Sequence, residues 1–120
     1  MIYGVHSLIY TRQAEAVRAF LRDVLGWPHV DAGGGWLIFA MPPAEVGVHP
    51  TDGDGVHELY LLCDDLDETM AELSAKGVEF TGGVHDEDWG RSTMIKLPDG
   101  GGELGIYQPK HPLALTRDPG

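Results

Sequence analysis

The sequence predicts an α+β fold in which one unit is used twice: two βαβββ modules in tandem, their mixed sheet curved into a cup with the helices outside. Three observations predict it. First, Val5-His6-Ser7-Leu8 reads against Val56-His57-Glu58-Leu59, and Leu25-Gly26-Trp27 reads against Lys76-Gly77-Val78, both pairs 51 residues apart (57 − 6 and 77 − 26). Second, Ala44-Glu45-Val46-Gly47-Val48-His49 reads against Gly102-Glu103-Leu104-Gly105-Ile106-Tyr107 at a spacing of 58 (103 − 45), so the second copy carries about seven extra residues. Third, each copy shows strand, helix and then three strands. That order places the helices on the outer face of a mixed sheet. Neither half has elements enough to cover its own sheet, and pairing the halves solves that problem.

In the first module, residues 1–50, Ile2 to Tyr10 is rich in strand formers. Gln13 to Leu25 follows as a helix, because Val17, Phe20, Leu21 and Val24 recur at the spacing of one buried face and Gly26 suits the position past its end. Trp27 to Val30 is a short edge strand, Gly33-Gly34-Gly35 a turn, and Trp36 to Met41 a buried strand that Pro42-Pro43 breaks. Glu45 to His49 returns as its hairpin partner. The polar run at 51–55 (TDGDG) is the linker.

The second module, residues 56–109, repeats the order. Val56 to Cys63 is a strand. Asp64 or Asp65 caps a helix that runs to about Lys76, with Asp67 and Glu68 in the first turn, where the helix dipole favours acids. Leu66, Met70 and Leu73 form its apolar stripe, and Gly77 ends it. Val78 to Thr81 is a short strand, 82–90 a loop, Arg91 to Leu97 a strand, Pro98 to Gly101 a turn, and Gly102 to Gln108 the last strand. The tail, 110–120, has little periodicity and is expected along the surface or partly disordered.

Bulk properties narrow the function. The 120 residues suit one domain, and 42% hydrophobic residues is normal for a packed chain. The net charge of −11 argues against nucleic acid or anionic membrane as a partner, and it is compatible with a cationic ligand. The single Cys63 cannot form an internal disulfide, and no base beside it in the sequence points to nucleophilic catalysis. No apolar run approaches the roughly 18 residues needed to span a bilayer, so a cytoplasmic location is expected. Gly33 to Gly35 and Gly100 to Gly102 lack the following helix that a phosphate-binding loop needs.

Each copy carries a His on its first strand and a Glu on its last. Two related halves that bring these groups to one centre are one way to build a metal site. Two imidazoles and one carboxylate with open positions suit Fe(II). A second carboxylate favours a more closed site for Zn, Ni or Mn, with the metal acting as a Lewis acid.

These residues resemble the vicinal oxygen chelate superfamily, which includes glyoxalase I, type I extradiol dioxygenases and the bleomycin-resistance binding proteins. The resemblance covers about Ile2 to Pro109. It rests on the strands opened by His6 and His57, on the helix end Phe20-Leu21-Arg22-Asp23-Val24-Leu25-Gly26-Trp27, on Trp89-Gly90-Arg91 running into Leu97-Pro98-Asp99-Gly100, and on the closing Glu103-Leu104-Gly105-Ile106-Tyr107-Gln108-Pro109. It implies metal ligands at His6, Glu45, His57 and Glu103, with Glu103 or Glu45 as general base. It also implies a homodimer, which would cover edge strands. Members commonly place the ligand Glu three residues before the Gln of the closing run. Here that place holds Gly105, and Glu103 lies two residues earlier on the same strand face. In the first copy, His49 is an alternative ligand to Glu45.

Trp36, His49, Tyr60, Trp89, Arg91 and Tyr107 are candidate ligand-pocket residues, Arg91 as a partner for a substrate carboxylate. Two functions compete. One is a small metal-dependent enzyme of glyoxalase or dioxygenase type, acting on vicinal oxygens of a small organic substrate and using Fe, Zn, Ni or Mn. The other is a metal-free protein that sequesters a small hydrophobic or cationic molecule or an antibiotic. The paired His and Glu favour the first. The acidic charge, the aromatic residues and Gly105 favour the second.

Overall fold

The computed structural model describes residues 6–45, 47, 48, 50, 52–54 and 57–113. Residues 60–109 run strand, helix and then three strands. Strand β3 (Tyr60–Leu62) leads into helix α2 (Leu66–Ala75), then β4 (Glu79–Glu87), β5 (Gly90–Lys96) and β6 (Glu103–Pro109). In space the strands run β3-β6-β5-β4, with β3 parallel to β6 and the other pairs antiparallel.

Of the first copy, the described residues keep helix α1 (Ala14–Ala19), a π-helical continuation over Phe20–Val24, and a hairpin of β1 (His29–Asp31) with β2 (Leu37–Phe39). The helix therefore covers nearly the predicted range, but its last turn widens. The Leu25 amide donates to the Phe20 carbonyl at 3.2 Å, one residue beyond the α spacing, and Gly26 then turns the chain at φ 70°. The expected strand over 2–10 is not regular across residues 6–10, and Leu8, Ile9 and Tyr10 are exposed there. The expected strand over 45–49 is likewise absent at Glu45, Gly47 and Val48, while Val46 and His49 lie outside the described residues. The predicted loop 82–90 is mostly strand. β4 runs through it across a bulge between Thr81 and His85, where Gly82 and Gly83 take positive φ.

Alternation along β5 and β6 sorts side chains onto two faces. Thr93, Ile95, Leu104 and Ile106 point to one face and are at most 3% exposed. Leu66 and Leu73 of α2 pack on it, together with Val17, Phe20 and Leu21 from the first helix. Gly101 permits this docking, since a Cβ there would stand 2.7 Å from Val17 Cγ2. The start of α2 is doubly held. The Asp65 side chain accepts from the Glu68 amide at 3.0 Å, and the Gln108 side-chain oxygen of β6 accepts from the Leu66 amide at 2.9 Å. Among the described residues no helix is long and apolar enough to cross a membrane.

Leu66 is fully buried at the point where α2 meets β6. Leu66→Ala is expected to destabilise the protein by about 2–5 kcal/mol through lost burial and the cavity left behind. Urea unfolding followed by circular dichroism measures this. A loss under about 1 kcal/mol would mean that α2 is not the principal cover of the sheet.

Candidate functional site

The other face of the four-stranded sheet carries the chemistry. Tyr60 of β3 pairs in register with Gly105 of β6, Met94 of β5 pairs with Gly105, and Ser92 pairs with Tyr107. Glu103, Gly105 and Tyr107 therefore share this face with Glu58 and Tyr60. A cavity of about 300 Å³ opens there, lined among others by Ser7, His57, Glu58, Tyr60, Met94, Glu103 and Gly105. The structure thus brings His57, Glu103 and Tyr60 together, and Ser7, next to His6, reaches the same space.

An aromatic wall adjoins the cavity. The Tyr107 ring meets Tyr60 edge-on at 5.6 Å between centroids and meets Trp89 edge-on at 5.4 Å. Trp89 sits at the tip of the β4–β5 hairpin and is 45% exposed, so part of its ring remains open to a ligand. Behind the wall, the Tyr107 hydroxyl lies 3.1 Å from His111 Nε2, and His111 Nδ1 lies 2.8 Å from the Pro112 carbonyl. A neutral His111 protonated at Nδ1 fits both contacts, donating to Pro112 and accepting from Tyr107. Lys110 holds the hairpin from the same segment. Its amide donates to the Trp89 carbonyl at 2.9 Å, and its ammonium bonds Asp86 and the Glu87 carbonyl.

Acids surround the wall. Burial, reinforced by the charge and hydrogen bond of Glu58, raises the Tyr60 phenol above its ordinary value. Burial and the Glu45 carboxylate do the same for Tyr107. Both phenols are therefore neutral at physiological pH, and the local field is negative. On the same face, Lys96 pairs with Glu79 at 3.4 Å.

Several sequence candidates lie elsewhere. Arg91 points to the helix-covered face, where its guanidinium makes two 3.2 Å bonds to the Asp67 carboxylate of α2. Odd-numbered positions of β5 share that face with Ile95, so Arg91 cannot meet a ligand lying against Tyr107. Trp36 is exposed and stacks under the Arg18 guanidinium, 4.9 Å from ring centroid to Cζ. His6 is exposed, and His49 is outside the described residues. Burial raises the Cys63 thiol, which keeps it protonated. Glu58 and His111 were not singled out in the sequence. Glu58 stands two residues before Tyr60 and so shares its face, a signal available from strand alternation. His111 follows Pro109, where no periodicity marks it.

A metal centre needs its donors to converge, commonly three from the protein. Among the described residues no three His, Cys, Asp or Glu side chains stand close enough to hold an ion. Gly105, the position matching the family's closing Glu, has no room for a side chain. A Cβ there would lie 2.3, 2.5 and 2.8 Å from three carbons of the Tyr60 ring. Among the described residues, which leave out the candidate ligand His49, the donors do not converge on one point.

A larger cleft of about 600 Å³ lies between the first helix and the segments Lys76–Glu79 and Leu97–Gly100. Its charges are largely satisfied within the chain, Asp23 by Arg22 at 2.7 Å and Lys96 by Glu79, and we assign it no role.

Comparison with known proteins agrees with this architecture. The model of the glyoxalase/bleomycin resistance protein/dioxygenase superfamily matches residues 5–103, and the chain belongs to that family. Members of the superfamily often use divalent metal ions. No curated protein matches the chain. Among solved structures, TnmS3, an antibiotic binding protein from Streptomyces sp. CB03234, is 28% identical with a TM-score of 0.62, over 92% of this chain and 99% of that one. A member of the same superfamily from Sphaerobacter thermophilus is 25% identical with a TM-score of 0.59, over 89% and 98%. A lactoylglutathione lyase from Agrobacterium tumefaciens is 18% identical with a TM-score of 0.61 over 88% and 92%, a likeness of fold.

The raised phenols give a direct check. Tyr60 and Tyr107 are expected to ionise above the ordinary phenol value of about 10 in an absorbance titration, and Tyr60→Phe and Tyr107→Phe each to remove one late phenol. Because both protons are held more tightly in the folded state, their contribution to stability is complete below the unfolded phenol value of about 10 and is lost as pH rises through the folded values. A variant that loses an early-titrating phenol instead would contradict the burial.

Proposed function

We propose that this member of the glyoxalase/bleomycin resistance protein/dioxygenase superfamily binds a small, flat, cationic aromatic molecule against the Tyr60–Tyr107–Trp89 wall, with no metal ion required. The carrying observation is the Tyr60 ring packed on Gly105, which gives the cavity lining an aromatic surface where a side chain would otherwise stand. The half-exposed Trp89 supplies a second ring, and Glu45, Glu58 and Glu103 supply negative charge for a cation. The likeness to TnmS3, an antibiotic binding protein, supports binding over catalysis.

A second reading keeps a metal-dependent reaction of lyase or dioxygenase type, with His57 and Glu103 as donors. Its support is that both residues line one cavity. A bound divalent ion would supply Lewis acidity there, and Glu58 is a further carboxylate in the lining.

The two readings separate in one experiment. Acridine orange, a flat cation, is expected to quench tryptophan fluorescence of the protein saturably, both before and after exhaustive chelation. Trp89→Ala is expected to weaken that binding about tenfold, the equivalent of one aromatic contact and its burial. His57→Ala is expected to leave it unchanged. About one metal per chain by elemental analysis, together with dye binding abolished by chelator, would overturn the metal-free reading.

We also propose a homodimer. A two-stranded sheet alone is marginal in water, yet the β1–β2 hairpin pairs with no further strand among the described residues and rests on the core through Phe39. Val30 and Ile38 are opposite each other across it and are 65% and 37% exposed, so the hairpin presents an apolar face. Sedimentation is expected to give twice the 13.0 kDa chain mass, and Val30→Lys to shift the protein toward monomer. A wild-type monomer at high concentration would rule the dimer out.

A further inference from the structure

Gly105 and Tyr60 meet in a way that neither the fold nor the acidic charge requires. Gly105 lies in the middle of β6, where glycine weakens a strand and leaves a bare patch of backbone. Its neighbours in register are Tyr60 on one side and Met94 on the other. The patch is covered by the Tyr60 ring, whose Cγ, Cδ1 and Cε1 stand 2.8, 2.3 and 2.5 Å from where a Cβ would be. Those distances exclude any side chain at 105 while the ring stays in place. The ring in turn meets the Tyr107 ring at right angles, 5.6 Å between centroids. His57, Glu58 and Glu103 line the same cavity as the pair. A carboxylate at position 105 would therefore enter a space that already holds an imidazole and two carboxylates.

We propose that Tyr60 and Gly105 form a mutually exclusive pair that determines which class of ligand this cavity takes. With the ring on bare backbone, the cavity floor is an aromatic plane. With a donor side chain at 105 and no ring, the same cavity gathers enough donors for a divalent cation. The ligand-class half of this inference rests on the binding function proposed above; the exclusion itself rests on packing alone.

The test uses zinc as its probe. Zinc is titrated calorimetrically into the wild type, Gly105→Glu, Tyr60→Ala and the double variant Tyr60→Ala/Gly105→Glu, and each protein is unfolded in urea. Gly105→Glu alone is expected to lower the unfolding midpoint and to gain no zinc affinity. The double variant is expected to unfold near Tyr60→Ala and to bind zinc about tenfold or more tighter than either single variant. Zinc binding by Gly105→Glu equal to that of the double variant overturns the proposal, and so does a double variant with no gain. Should Gly105→Glu fail to fold, Gly105→Ala replaces it in the unfolding arm. Its cost is expected in the wild-type background and to vanish when combined with Tyr60→Ala; an equal cost in both backgrounds overturns the exclusion. Acridine orange titration of the wild type keeps the two proposals apart. No dye binding removes the aromatic-ligand reading, while the zinc and unfolding results still decide the pair.

Discussion

The register between β5 and β6 is the constraint on which both the core and the site depend. Pairing runs without a break from Gly90 opposite Pro109 to Lys96 opposite Glu103. Successive residues alternate faces, so this one register sends Thr93, Ile95, Leu104 and Ile106 under the helices and sends Ser92, Met94, Gly105 and Tyr107 to the other face, where Met94 and Gly105 line the cavity. A slip by one residue would exchange the sets, exposing Ile106 and burying Tyr107. Several contacts oppose the slip. Gln108 reaches the Leu66 amide, the Cys63 amide donates to the Tyr107 carbonyl at 3.0 Å, and Arg91 holds Asp67 on α2. The Arg91 contact is an exposed ion pair and contributes little to stability. Its value is positional, because it forms only when odd-numbered residues of β5 face the helix.

Magnitudes rank the effects at the cavity. A flat ligand that buries an aromatic face of about 150–250 Å² gains roughly 4–6 kcal/mol from apolar burial. A cation near a carboxylate gains about 1 kcal/mol in water and about 4 kcal/mol near a protein surface, before its desolvation is subtracted. For the proposed ligand, stacking therefore supplies most of the affinity, and the acids Glu45, Glu58 and Glu103 favour a cation. The neutral phenols fit this division. An ionised Tyr60 or Tyr107 would draw water onto the wall, and burial, reinforced by the neighbouring carboxylates, keeps both rings uncharged.

Much of the second half was legible in the sequence. The Leu66, Met70 and Leu73 stripe, the Asp65 cap and Gly77 give α2 within a residue or two, because each is a local signal with its own mechanism. The face shared by Glu103, Gly105 and Tyr107 also followed from alternation alone. The first half was less legible. Apolar content suggested strands at 2–10 and 45–49, but a strand needs a neighbour, and sequence composition does not name one. Arg91 shows the same limit. Its residue type suited a ligand carboxylate, but which face it occupies depends on a register invisible in one sequence. The aromatic wall was partly foreseen, since Tyr60, Trp89 and Tyr107 were all candidates. What could not be foreseen was that they touch, and that His111 and Lys110 brace them from beyond the last strand.

The central strand explains how one fold serves both chelation and stacking. Residues two apart on β6 stand about 6.8 Å from each other along the strand. Glu103, Gly105 and Tyr107 therefore present three positions in a row on one face, the first two lining the cavity and the third beside the Tyr60 ring. A metal centre needs donors aimed inward at one point, which favours a donor at the middle position. A flat ligand needs one exposed ring face, which favours no side chain there, so that a ring from the neighbouring strand can cover the backbone. Glycine at 105 is the residue that permits the second arrangement, and it weakens β6 unless something covers it. Tyr60 supplies that cover, so the packing that stabilises the strand is the same packing that shapes the floor. On this account the backbone need not change between the two kinds of site: one position on β6 and its neighbour on β3 decide between them.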